Sequence, residues 1–189
     1  MQLHKSRIQP IKESEMTEAE QNLLGPRRSH SNVYRTLAQH PKLLRCWFVF
    51  GHYILEESTL PSRDRELIIL RTGWLCQAEY EWAHHKIKGK EVGLSEQEVL
   101  RIIKGYDADG WSEFEASLLK AVDELCENAF ISNSTWKALA TQYSEQQIMD
   151  LVFTVGEYTL VSMALNSFGV QLEESVDGFP KEEKSKKTV

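Results

Sequence analysis

The chain has no proline between Ser62 and Phe179; its five prolines stand at positions 10, 26, 41, 61 and 180. Proline removes a backbone donor and breaks helix interiors, so this 118-residue stretch is where long helices can form. Cysteine is scarce and scattered. Cys46, Cys76 and Cys126 show no paired spacing, which argues against a disulfide scaffold and predicts three reduced thiols in a cytoplasmic protein. Positive charge is also lacking. At a net charge of -6, no electrostatic feature favours nucleic acid or an anionic membrane. The longest apolar runs, 43–55 and 151–165, are too short to span a bilayer and carry His52 and Glu157. The start, MQLHKSRIQP, has no apolar signal core. Nor is there a glycine-rich phosphate loop or a G-x-S-x-G elbow.

What is present is helical punctuation. Thr17 with Glu20, Ser95 with Glu98, Ser112 with Glu115 and Ser144 with Gln147 each match the capping box. Apolar residues then recur at helical spacing: Val99, Ile102 and Ile103; Leu118, Leu119, Val122 and Leu125; Ile148, Leu151, Val152 and Val155. No segment alternates with period two. The fold class is all-α, with helices expected near 17–24, 32–39, 42–57, 62–76, 79–91, 95–104, 112–127, 134–142 and 145–169. Hydrophobic residues at 41% and charged residues at 26% suit one globular domain. Residues 1–31 read as an N-terminal arm, 32–173 as the domain and 174–189 as a mobile polar tail. GLSEQEVLRII and QYSEQQIMDLV faintly echo one another, each a capped helix after a helix.

The chemistry-bearing stretch is CQAEYEWAHH, residues 76–85. On a helix Glu81 and His85 share a face, and Tyr80 and His84 form a second i, i+4 pair about 100° round. Glu66 lies in the preceding helix, and a hairpin would bring it to His85. A histidine between two carboxylates can move protons at neutral pH. The alternative is a surface pair of Glu66 with Arg63 and a half-buried structural His85. Glu81 and His84 also form an E-x-x-H, the spacing of di-iron bundles, but no second E-x-x-H exists, so no metal is expected. Cys46 and Cys126 read as small buried hydrophobes in apolar helices, and Cys76 has no partner near it in sequence.

The run from Asn32 to His85 resembles the carboxymuconolactone decarboxylase and alkylhydroperoxidase D-like superfamily. The resemblance rests on LPSRDREL at Leu60–Leu67, on Leu70–Arg71 and on EYEWAHH at Glu79–His85, with GLSEQEV and LNSFGVQLE further on. It implies an AhpD-like helical bundle with 62–76 and 79–91 as its central antiparallel pair. The peroxidase branch carries a glutamate, a C-x-x-C and a histidine. Laid on this chain these are Glu66, then Ala78 and Glu81 in the cysteine positions, then His85. Both redox cysteines are therefore absent, and the acid–base residues remain.

The resemblance accordingly implies a cofactor-independent lyase acting on a small carboxylated or carbonyl compound by decarboxylation or elimination. Glu66, Glu81 and His85 are the expected catalytic residues. Trp74, Tyr80, His84, Tyr158 and Asn166 are the expected substrate-binding ones. A hydratase or isomerase would use the same residues. A thiol-dependent hydroperoxidase, or a non-catalytic member, are the other readings. The family also implies a homo-oligomer (dimer, trimer or hexamer), with the aromatic helix 42–57 (Trp47, Phe48, Phe50, Tyr53) as the candidate interface.

Overall fold

The computed structural model describes residues 3–180, without the side chain of Arg27. Among them are nine α-helices and no strand. In order they are α1 (Glu18–Arg28), α2 (Asn32–Leu37), α3 (Pro41–His52), α4 (Ser62–Leu75), α5 (Glu79–Glu91), α6 (Glu96–Lys104), α7 (Glu113–Asn128), α8 (Asn133–Leu139) and α9 (Glu145–Phe168). All four capping boxes close in both directions, at Thr17, Ser95, Ser112 and Ser144. A π-helical turn, Tyr53–Glu57, extends α3. Gly25, at φ 64°, kinks α1 ahead of Pro26.

Helix α4 is the axis of the bundle. Every residue from Glu66 to Gly73 is buried, so α4 is covered all round. Partner contacts give the directions of its neighbours. Glu66 meets His85 and Gly73 meets Glu81, so α4 and α5 are antiparallel. Arg63 bonds Glu115 and Arg71 bonds Asp123, both 52 residues apart, so α4 and α7 run parallel. The reversal between α4 and α5 takes three residues, with Gln77 at φ 53°. Leu67, Ile68, Leu70, Trp82, Leu118, Leu119, Val122 and Leu151 form the main core between α4, α5, α7 and α9.

The N-terminal arm packs onto the domain: Met16 and Leu24 pack with Ala38 and Leu44, and Arg7 and Ile8 donate to the Phe168 carbonyl. Two expectations need correction. Residues 174–180 are packed rather than mobile. Phe179 stands edge-on to Trp74 at 5.0 Å and donates its backbone N–H to Glu79 Oε1. The tail expected beyond this point, residues 181–189, lies outside the described residues. Finally, α9 continues past its apolar run to 24 residues, long and apolar enough by composition to cross a membrane. However, 56% of that apolar window is buried inside the bundle, as in a core helix.

Candidate active site

The hairpin gathers the three acid–base residues. Glu66, in the second turn of α4, and His85, in the second turn of α5, are 2% and 3% exposed. His85 Nδ1 donates to Glu66 Oε2 at 2.7 Å. Nδ1 is thus the protonated nitrogen, and Nε2 is free to accept or deliver a proton. Glu81 Oε2 lies 3.4 Å from Nε2, as the i, i+4 spacing predicts. Arg63, the alternative partner of Glu66, instead bridges Glu98 and Glu115. Burial pushes the Glu66 carboxyl up, but the charge and hydrogen bond of His85, with Lys88 and Arg65 nearby, outweigh it and hold Glu66 below its ordinary value. The carboxylate form is therefore the resident partner of the imidazole.

Glu81 and His85 face a cavity of about 190 Å³ between α2, α3, α5 and α9, whose lining also includes Trp47 and Tyr158. Tyr158 stands edge-on to the His85 ring at 4.9 Å. Burial, followed by the charges of Glu81 and Glu66, pushes its phenol well above the ordinary range, so it is a neutral hydrogen-bonding group.

Tyr80 and His84 also line the cavity, but both are tied back to Glu173. The Tyr80 hydroxyl donates to Glu173 Oε1 at 2.7 Å, and His84 Nε2 lies 2.8 Å from Oε2. The Asn32 N–H donates to the same carboxylate at 2.7 Å. Burial opposes these bonds and loses: Glu173 is held down at about 2. This network also separates the E-x-x-H pair. His84 goes to Glu173 and Glu81 to His85, so the two do not converge on a metal. No group of three His, Cys, Asp or Glu among the described residues is placed to hold one.

The other two expected substrate-binding residues lie elsewhere. Trp74 is packed between Trp82 and Phe179, away from the cavity. Asn166 donates from Nδ2 to the Cys76 carbonyl and fixes the end of α4 to α9. Nothing in the sequence distinguished these from pocket residues, because both hang on whether a helix face turns inward.

A buried carboxylate in the cavity wall was missed. Glu157 is 4% exposed, and Oε1 accepts from Trp47 Nε1. Oε2 is buried with no partner among the described residues. Burial raises its carboxyl, the Trp47 N–H opposes this, and the Glu81 charge adds to it; the net direction is up. The available signal was a lone glutamate inside the apolar run 151–165. A charge that interrupts a buried helix face has a reason to be there. Cys46 and Cys126, expected to be buried, are exposed, and Cys76 is half-buried.

Residues 41–124 match the family model of the carboxymuconolactone decarboxylase family. No curated protein matches the chain in sequence. Solved structures share the fold at low identity. The alkylhydroperoxidase AhpD core of an uncharacterized peroxidase-related protein from Ralstonia eutropha JMP134 superposes with a TM-score of 0.78 at 16% identity, over 91% of this chain and 95% of its own. A cysteine-to-alanine variant of the debrominase Bmp8, in complex with 2,3,4-tribromopyrrole, does so with a TM-score of 0.74 at 16% identity, over 90% and 94%. A peroxidase-related protein from Silicibacter sp. TM1040 gives 0.67 at 13% identity, over 74% and 75%. At such identities the superpositions speak for the fold alone. The hairpin thus lies within the segment that matches the carboxymuconolactone decarboxylase family, and the all-α bundle around it has the AhpD-like fold.

Proposed function

We propose that this protein is a cofactor-independent acid–base enzyme that acts on a small carboxylated or carbonyl compound, with decarboxylation or elimination as its reaction class. The observation that carries this reading is His85. Its Nδ1 is fixed by a buried carboxylate, and its Nε2 lies beside a cavity and a second carboxylate. A buried structural network closes its space; this one borders a cavity whose lining also includes the buried Glu157.

In this reading His85 Nε2 is the catalytic base or acid. Loss of carbon dioxide or of a leaving group beside a carbonyl generates an enolate, and a positioned donor returns the proton. Glu66 is a positioning residue: it fixes the tautomer and balances the charge that develops on the ring. Glu81 exchanges the proton with Nε2. Tyr158 supplies a neutral hydrogen-bond donor for the substrate oxygen, and Glu157 borders the same cavity. A hydratase or isomerase draws on the same groups.

The enzyme would work as a homo-oligomer in the cytoplasm. Of the aromatic residues expected at an interface, Trp47 and Phe48 pack onto Tyr34, whereas Tyr53 is exposed. Exposed apolar residues also include Leu43 and Val49 of α3, and α9 exposes Met149, Phe153, Leu160 and Met163.

The test starts from a thermal-shift screen of small carboxylated lactones, keto acids and enones. Turnover of the hits is then measured with His85→Ala and Glu66→Gln. A fall of about 10²–10⁴-fold is expected for the removal of an acid–base group. Activity of both variants within about threefold of the wild type, far inside that range, overturns the assignment.

A further inference from the structure

His84 lines the same cavity as His85, and the reading above gives it no task. The two rings are held in opposite ways. His85 gives Nδ1 to Glu66 Oε2 at 2.7 Å, and His84 gives Nε2 to Glu173 Oε2 at 2.8 Å. A carboxylate can only accept, so Nε2 carries the proton of neutral His84 and Nδ1 is the nitrogen left for chemistry. Nδ1 has no hydrogen bond to any described residue. The Glu173 carboxylate divides its work. Oε1 accepts the Asn32 N–H and the Tyr80 hydroxyl, both at 2.7 Å, and so ties α2 and α5 to the segment after α9. Among the described residues Oε2 serves His84 alone. The structural tie is complete at Oε1; the bond at Oε2 orients a ring whose side chain is still 28% exposed. The Tyr80 ring lies 4.4 Å from that imidazole, at a tilt of 35°, and limits its rotation. His52, also in the lining, is over half exposed and pairs with Glu57.

We propose that His84 is a second catalytic acid–base residue of this cavity, and that the reaction is the elimination of water from a small β-hydroxy carbonyl compound, or its reverse. This rests on the acid–base reading of His85 and narrows it. A decarboxylation returns one proton to one carbon, a task for a single ring. Two rings, each with one nitrogen fixed by a carboxylate and the other open, suit a reaction that moves protons at two atoms. His85 Nε2 takes the proton from the carbon beside the carbonyl. The electron pair of that C–H bond passes into an enolate and then into the new C=C bond, and the C–O bond at the β-carbon breaks. The oxygen leaves as hydroxide, takes the proton of His84 Nδ1 and becomes water. His85 ends as imidazolium and His84 as neutral imidazole. Water that enters as product leaves returns a proton to His84, and Glu81, 3.4 Å from His85 Nε2, passes the other out. No oxidant, reductant or co-reactant besides water is needed, and hydration runs the same steps backward. Glu66 and Glu173 are positioning residues, one behind each ring, and each balances the charge of its imidazole while the open nitrogen holds a proton.

Two probes separate the two proton transfers on the full chain. Exchange of the α-protons of cyclohexanone in deuterium oxide, followed by NMR, needs only the base. Conversion of 3-hydroxycyclohexanone to cyclohex-2-enone, followed by absorbance, needs the base and the acid. Wild type is expected to catalyse both, and His85→Ala to lower both by about 10²–10⁴-fold. His84→Gln is expected to lower dehydration by about 10²-fold or more, and exchange by at least about tenfold less than that. Equal losses in the two reactions, or dehydration within about threefold of wild type, overturn the proposal and leave the His85 reading standing. Exchange without dehydration in the wild type does the same, and neither reaction in the wild type overturns both. A second measurement needs no substrate. In protein labelled with nitrogen-15 histidine, the neutral His84 ring is expected as the Nε2–H tautomer and the neutral His85 ring as the Nδ1–H tautomer. Glu173→Gln is expected to mix the two tautomers of His84, which a loss of packing alone would not do. A neutral His84 that carries its proton on Nδ1 in the wild type overturns the proposal.

Discussion

Glu173 offers a stability measurement whose size follows from the site. Its carboxylate accepts from the Asn32 N–H and the Tyr80 hydroxyl and pairs with His84, while its side chain is 20% exposed. Those bonds hold it at about 2, against an ordinary 4.5. The folded state thus binds this proton less readily than the unfolded chain. The resulting stabilisation is complete above pH 4.5 and is lost as pH falls toward 2. At about 1.4 kcal/mol per unit the full term is about 3 kcal/mol at neutral pH, and about 1 kcal/mol of it survives at pH 3. Glu173→Gln keeps the volume and an acceptor oxygen but removes the charge. Urea unfolding of wild type and variant at pH 7, 5, 4 and 3 is expected to give a gap that is steady down to about pH 5 and narrows below it. A gap that stays constant across the series would show that the loss is steric. A gap under about 0.5 kcal/mol at pH 7 would place the carboxylate in the range of ordinary exposed pairs and refute the reasoning.

Two further perturbations test the frame around the site. Gly105 has φ 94°, and a Cβ there would stand 2.7 Å from Arg71 Nη2; Gly105→Ala is expected to displace the guanidinium from Asp123 and cost about 2 kcal/mol or more, read by thermal unfolding. Phe179→Ala removes the ring packed on both Trp74 and Trp82 and is expected to cost about 3 kcal/mol with a red shift of tryptophan emission; an unshifted spectrum would mean that the segment does not cover the indoles in solution.

The helix ends were the most legible part of the chain. Ser, Thr and Glu at capping spacing act through backbone donors only three residues away, so nothing distant can override them. The Glu66–Glu81–His85 cluster was legible for a related reason. Two of its members share one helix turn, and the third lies just across a three-residue reversal. What the sequence hid depends on which way a long helix faces. Trp74 and Tyr158 look alike as aromatic residues near the site, yet one packs against Phe179 and the other edges onto His85. Glu157 becomes a site residue only because α9 turns it toward Trp47. No local pattern carries that information.

The length of α4 decides whether Cys76 can join this chemistry. Glu66 stands near the start of α4 and Cys76 at its C-cap. Ten residues of helix at 1.5 Å each set them about 15 Å apart along the axis. A proton transfer needs groups within hydrogen-bond reach or one water of each other. His85 therefore cannot serve as the base for Cys76, and Cys76 cannot attack a molecule held in the His85 cavity. In a site built around C-x-x-C, thiols and relay would lie on one helix within a single turn. Here Ala78 and Glu81 occupy those positions, and a carboxylate 3.4 Å from His85 Nε2 leaves the relay without an electron donor. Glu81→Cys with Ala78→Cys is therefore expected to build a dithiol on α5 beside His85 and to lose the acid–base activity, without recruiting Cys76.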